Sequence, residues 1–255
     1  SFVLDTVAPA PTLVLAADTG LNGDGITSNP TVNVTGLESG ASWQYHVDSG
    51  GWQNGSGTSF QLQAGQHNYY VRQTDLAGNT SNSSLPFTFE LDNTAPTIPT
   101  IALARDTGIS GADKITKDGS VNVTAEVGTT VVVTFSNAGN VVTKPVVGTG
   151  APVEVTLTSA DLLALGNGLI TVSATAIDKA NNVSATATYT YTLDTQVATP
   201  SLILAVDTGI NGDNITSNPT VNVTGLETDS TWQYQVDSGA WQNGIGTTFQ
   251  LTLGS

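Results

Sequence analysis

Three loops of the chain carry Asp-Thr-Gly: DTGLNGDGIT at 18–27, DTGISGADKIT at 106–116 and DTGINGDNIT at 207–216. Each sets two aspartates six or seven residues apart in a Gly-containing loop, with Asn in the first and third, and each follows one apolar stretch and precedes another. Three chemistries use such residues. Aspartic proteases bring two Asp-Thr-Gly loops together across a two-fold axis so that carboxylates about 3 Å apart share one proton and activate water. Here three copies lie in succession and Leu21, Ile109 or Ile210 follows the Gly, where those proteases carry a small residue. Asp, Asn and Gly are also the commonest turn formers, and one such loop alone reads as a turn. The third chemistry is oxygen ligation of a hard cation. The loop is not an EF-hand, because counting back from NGDG puts Gly20 where the first aspartate belongs. There is no nucleophile elbow, paired-carboxylate cleft or phosphate loop, so no enzyme is expected.

Composition bears on the choice. The 255 residues include 21 Asp+Glu and 6 Lys+Arg, for a formal net charge of −15. Such a chain repels a phosphate backbone, which argues against nucleic acid and anionic membrane surfaces as partners. No run of 18 apolar residues could span a bilayer. Cysteine is absent, so there is neither a disulfide framework nor a thiolate zinc site.

The elements that position the loops repeat. DTVAP at Asp5, DNTAP at Asp92 and DTQVATP at Asp194 recur after 87 and 102 residues, and the Asp-Thr-Gly loops after 88 and 101. The third copy matches the first at an offset of 189, through WQYHVDSGGWQNG at 43–55 and WQYQVDSGAWQNG at 232–244; the middle copy diverges. Within copy one, Leu13 and Leu15, Val32 and Val34, Trp43, Tyr45 and Val47, Phe60 and Leu62, Tyr69 and Val71, and Phe87, Phe89 and Leu91 alternate with polar residues between turn-rich clusters. That pattern predicts six or seven short strands per repeat. The natural solution is an all-β fold of tandem immunoglobulin-like β-sandwiches in an extended rod. Trp43 and Trp232 take the place of the buried strand-C tryptophan, and Tyr69 is a candidate tyrosine corner. One helical turn is expected at 159–168, capped by Ser159 and stopped by Gly166. The boundaries read as 1–5, the last strand of a preceding repeat; 6–93, repeat 1; 94–195, repeat 2; and 196–255, repeat 3, lacking its last two strands. The chain is expected to be a window cut from a longer array, with repeat 3 frayed or completed by a neighbour.

In such a sandwich the loop between strands A and B faces the next domain and the loop between F and G faces the previous one. At the first junction this ordering is expected to gather Asp18, Asp24, Asp92 and Asp178, with Asn182 beside them and Lys179 as the nearby cation. Uncompensated carboxylates repel, and a dication relieves them. Ca²⁺ suits better than Mg²⁺, because it takes six to eight oxygens in irregular geometry, including loop carbonyls and the amides of Asn22 or Asn182. Transition metals suit poorly, since His46 and His67 stand alone. The second junction would use Asp106, Asp113 and Asp194. Asp5, Asp75 and Asn79 form the matching half-site at the N-terminal end, and Asp207 and Asp213 complete the set.

A competing reading makes the chain a carbohydrate-binding module that stacks sugars on Trp52 and Trp241, set against plain packing of both rings at the edge of the sandwich core. A phage-fibre or surface-layer subunit would share the fold. The Asn-X-Thr sequons at Asn33, Asn122, Asn214 and Asn222 read most simply as outward polar positions.

The motifs LDxTAP, DTGxNGDGIT, WQYxVDSGxWQNGxGTSFQL and DLAGN resemble the bacterial immunoglobulin-like repeats of giant type I-secreted RTX and biofilm-associated adhesins. The resemblance covers repeats 1 and 3 nearly throughout, and repeat 2 departs between Gly128 and Ser159. It implies calcium-stiffened extender domains of an extracellular, cell-surface adhesin that hold a ligand-binding tip away from a Gram-negative cell. The partners it implies are neighbouring repeats of the same monomeric chain, with any surface or glycan ligand engaged by other regions. Acidity and lack of cysteine suit unfolded export and folding outside the cell.

Overall fold

A computed structural model of the chain describes residues 3–252. The chain divides into two compact units, Ser1–Asp194 and Thr195–Ser255. The first unit holds two sandwiches. In repeat 1 the strands are β1 (Thr12–Leu15), β2 (Ile26–Thr27), β3 (Thr31–Thr35), β4 (Ser42–Val47), β5 (Gln53–Asn54), β6 (Ser59–Gln61), β7 (Gly65–Thr74) and β8 (Phe87–Leu91). They form a three-stranded sheet, β1-β3-β6, against a five-stranded sheet, β2-β8-β7-β4-β5. Repeat 2 comprises β9 (Thr100–Leu103), β10 (Ile115–Thr116), β11 (Val121–Thr124), β12 (Thr130–Asn137), β13 (Asn140–Val147), β14 (Val153–Val155), α1 (Ser159–Leu165), β15 (Gly168–Ile177) and β16 (Ala187–Leu193). Its sheets are ordered β14-β11-β9 and β10-β16-β15-β12-β13.

Period-two alternation builds both cores, because successive strand side chains point to opposite faces. Leu13, Val32, Val34, Trp43, Phe60, Leu62, Tyr69, Val71 and Leu91 are buried together in repeat 1, with Leu15, Tyr45, Val47, Phe87 and Phe89 packed at their margin. The Trp43 indole N–H donates to the Gly57 carbonyl at 2.8 Å. The Tyr69 hydroxyl accepts from the Gln63 amide at 2.9 Å, the backbone tether expected of a tyrosine corner. Repeat 2 fills the same space with Val131, Val133, Phe135, Ile170, Val172, Tyr191 and their neighbours.

The structure differs from the sequence-based expectation in three places. The Asp-Thr-Gly loop does not run straight from strand A to strand B. It carries the chain from one sheet to the other, where β2 pairs parallel to β8 through Ile26↔Glu90 and Thr27↔Leu91, and β10 does the same with β16. A two-residue strand has no periodicity to read. The departure of repeat 2 after Gly128 is, by contrast, where the sequence puts it: a hairpin of two eight-residue strands, β12 and β13. The helix cap is Thr158 rather than Ser159: its side chain accepts from the Asp161 amide while Asp161 accepts from the Thr158 amide, a reciprocal capping box. Residues 3–11 form no strand; the rest of the strand expected at 1–5 lies outside the described residues.

The second unit contains β17 (Ser201–Leu204), β18 (Thr220–Thr224), β19 (Gln233–Tyr234), β20 (Gln242–Asn243) and β21 (Thr248–Gln250), ordered β17-β18-β21 and β19-β20. Its core is Val221, Val223 and Phe249 with Trp232, Tyr234 and Leu251 at the margin. No described strand here corresponds to β7 or β8. Leu202 is accordingly 60% exposed where its counterpart Leu13 is 3% exposed.

Candidate functional site

Each Asp-Thr-Gly loop is folded by its own side chains. Asp18 Oδ2 accepts from the Gly23 amide at 2.6 Å, Asp106 Oδ2 from Lys114 at 2.9 Å and Asp207 Oδ2 from Gly212 at 2.7 Å. The Thr hydroxyls accept from Ser28 at 2.7 Å, Lys117 at 2.9 Å and Ser217 at 2.7 Å. Asp24, Asp113 and Asp213 each close an Asx turn, accepting at 2.9 Å from the amides of Ile26, Ile115 and Ile215. The turn-forming role is therefore real and nearly complete. One atom per loop is left over: Oδ1 of Asp18, of Asp106 and of Asp207 is buried with no hydrogen-bond partner. A carboxylate oxygen taken from water without a donor is costly, and its recurrence at the same atom in three copies fits a cation ligand. Asp18 shares its cavity, about 550 Å³, with Asn22, Asp24 and the aromatic wall of Phe87 and Phe89.

The opposing loops use their acids differently. Asp178 Oδ1 accepts from the Asn182 amide and Oδ2 from the Asn182 side chain, both at 2.8 Å, and the same Asn182 nitrogen donates to the Asp92 carbonyl at 2.8 Å. Asp75, Asn79 and Asp5 repeat the device with bonds of 2.8, 2.7 and 3.0 Å. The bonds from Asn79 hold the Asp75 carboxyl below its ordinary value. The aspartate thus closes the turn, and the asparagine clamps the linker through the main chain. The linker carboxylates cap their own turns, Asp5 from Val7 at 3.3 Å and Asp92 from Thr94 at 3.0 Å. Asp194 Oδ1 accepts from Asn167 at 3.4 Å.

At the junction of repeats 1 and 2 these loops touch. The Thr19 hydroxyl donates to the Ala180 carbonyl at 2.7 Å. Gly20, at φ +80°, lies so close to the repeat-2 loop that a Cβ there would stand 1.9 Å from the Lys179 carbonyl oxygen. The four carboxylates expected to gather instead divide between two cavities. Asp18 and Asp24 line the loop cavity, while Asp92 and Asp178 line a cleft of about 420 Å³ with Glu90, Glu126 and Lys179. Among the described residues no three His, Asp or Glu side chains are grouped to hold one ion. The division follows from the hydrogen bonds: Asp18 turns into its own loop and Asp178 is occupied by Asn182. Glu90 and Glu126 belong to no recurring loop, so repetition did not single them out.

The tryptophans of the competing reading also separate. Trp52 is absent from the core cluster and lies on the outer face of the five-stranded sheet, half-buried, with Arg72 over its ring at 4.1 Å. Trp241 is 64% exposed.

Comparison with curated proteins finds no match. Among solved structures, the chain is similar to a tetra-tandem repeat from the extending region of a large adhesion protein, at 21% identity and a TM-score of 0.38, over 98% of this chain and 66% of that one. It is similar to part of a 1.5-MDa bacterial ice-binding adhesin, at 16% identity and 0.33, over 86% and 76%. It is also similar to the fibronectin(III)-like modules of Clostridium thermocellum CbhA, at 12% and 0.38, over 71% and 94%. A family model for the bacterial Ig-like domain matches residues 5–93 and again 92–195. The chain belongs to the bacterial Ig-like domain family, as tandem copies of that domain.

Proposed function

We propose that the chain is a stalk segment of a bacterial cell-surface adhesin, exposed outside the cell, whose repeats are stiffened by calcium and whose work is mechanical rather than catalytic. The observation that carries this reading is the junction itself, where Thr19 bonds Ala180 and Asn182 bonds the Asp92 main chain, so that the two repeats are tied loop to loop. Calcium is assigned to the Asp-Thr-Gly loops through the orphaned Oδ1 of Asp18, Asp106 and Asp207, with neighbouring loop oxygens such as those of Asn22 and Asp24 as further donors. The ion would neutralise a buried carboxylate and brace the loop against the next repeat. Extracellular calcium modules bind at about 10⁻⁴ to 10⁻³ M, which keeps such sites filled outside a cell and empty in the cytosol. At ten times Kd each filled site stabilises the fold by roughly 1.4 kcal/mol, favouring folding after export. The secretion route and any part in biofilm rest on the sequence resemblance alone.

Calcium titration by calorimetry tests the reading. Saturable binding that loses one site with Asp18→Asn supports it, and no heat of binding up to about 10 mM calcium, ten times the weak end of that range, refutes it.

A further inference from the structure

Repeat 1 contains one Lys or Arg, Arg72, and its setting is not one the fold demands. Its Nε and Nη2 both donate to Gln44 Oε1, at 3.0 and 2.7 Å, while its guanidinium carbon stands 4.1 Å over the Trp52 ring. The plane of the group is thereby fixed, with one edge pinned and the Nη1 edge left open. No carboxylate pairs with it among the described residues, whereas Arg105 pairs with Asp118 and Glu154 and Lys144 with Asp161. Beside it His46 stacks on Tyr70, at 4.4 Å and 9° between planes, and meets Trp52 edge-on at 4.5 Å. His46 Nδ1 is buried without a hydrogen-bond partner.

All these side chains stand on the outer face of the sheet, since their strand neighbours Tyr45, Val47, Tyr69 and Val71 point into the core. In repeat 2 the positions corresponding to Gln44, His46, Tyr70 and Arg72 carry Val132, Thr134, Ser173 and Thr175, so the sandwich holds together without rings or a cation there. An arginine fixed by stacking and a hydrogen bond presents a rigid fork that matches a carboxylate in bidentate geometry. Aromatic edges suit the apolar face of a sugar. A polyanion such as nucleic acid would meet the whole field of a chain at −15. A single carboxylate needs only the local fork.

We infer that the outer sheet face of repeat 1, built from Gln44, His46, Trp52, Tyr70 and Arg72, binds a carboxylate-bearing pyranose, with the acid on Arg72 and the ring against the aromatic group. The site stands whether or not the junctions hold calcium. It makes repeat 1 a glycan contact as well as a spacer.

The test titrates the full chain, observed by NMR at the Trp indole N–H signals, with methyl galacturonide against methyl galactoside and with 3′-sialyllactose against lactose. The two acidic probes distinguish a uronate source from a sialylated one. The expected result is saturable binding of at least one acidic probe, its neutral counterpart at least about tenfold weaker, movement of the Trp52 signal, and at least about tenfold loss in Arg72→Gln, the scale of one hydrogen bond to a charged group. No saturation by either acidic probe, equal binding of the neutral sugars, or affinity unchanged in a folded Arg72→Gln variant would overturn it. Should that variant not fold, an unmoved Trp52 signal in the unaltered chain overturns it equally.

Discussion

Replacing Gly20 by Ala is the sharpest perturbation of the junction, because its twin Gly209 provides an internal control. Both glycines have positive φ, +80° and +87°, so alanine costs about 1–2 kcal/mol of backbone strain at either position. They differ in what the new methyl meets. At Gly209 nothing lies within 4 Å, whereas at Gly20 the Lys179 carbonyl oxygen lies at 1.9 Å and the Asn181 nitrogen at 3.3 Å. Ordinary contact needs about 3.3 Å or more, so the repeat-2 loop must retreat by over 1 Å. That displacement breaks the 2.7 Å bond from Thr19 to Ala180 and strains the 2.8 Å bond from Asn182 to Asp92, each worth about 0.5–1.5 kcal/mol. Gly20→Ala should therefore destabilise by roughly 1–3 kcal/mol more than Gly209→Ala. It should also change the scattering profile of the full chain, which Gly209→Ala leaves alone. Thermal unfolding and small-angle scattering read the two effects. Equal losses, with unchanged scattering for both variants, would show that the loop contact does not fix the junction.

Gln73 is fully buried, and its amide accepts from Glu38 N and donates to the Pro9 and Gly36 carbonyls; Gln73→Leu should cost about 3 kcal/mol or more in urea unfolding of repeat 1, since it strands three backbone groups. At Gly55 an added Cβ would lie 2.2 Å from the Trp43 ring, so Gly55→Ala should displace the indole, cost about 1–3 kcal/mol and red-shift the tryptophan emission. The Asp48 carboxyl is lowered by the Asn68 amide and by His67, and the His67 imidazole is raised by Asp48 and by the Ala64 carbonyl. A raised His stabilises below its unfolded value of 6.5 and loses that contribution as pH rises through its folded value; a lowered Asp stabilises above 3.8 and loses it as pH falls. The turn is thus firmest between about pH 4 and 6.5. NMR titration should give His67 a midpoint above 6.5 that falls in Asp48→Asn. Lys144 and Thr158 hold the Asp161 carboxyl down at about 2, so the stability that its capping box gives α1 should fade between about pH 4 and pH 2, read by the local amide signals.

Much of this was legible in residues. The alternation of Val32 and Val34, Tyr69 and Val71, and Phe87, Phe89 and Leu91 places β3, β7 and β8 because a half-buried strand leaves a two-residue period. Repetition located the junction loops. It did not reveal the sheet exchange through β2, since two residues carry no period. Nor did it reveal that Asp178 is saturated by Asn182 while Asp18 keeps a free oxygen, since both are loop aspartates beside glycine or asparagine and only geometry separates a closed turn from an open ligand. The patch around Arg72 was half visible: Trp52 stood out as an aromatic in a glycine-rich turn, but Gln44, His46, Tyr70 and Arg72 are brought to it by the pairing of β4 with β7.

Scattering from the full chain with saturating calcium and again in excess chelator tests the stalk most directly. Calcium-braced junctions predict a longer, better-defined particle with calcium, and a broader distribution of shapes after chelation. Superimposable curves in the two conditions would contradict the account.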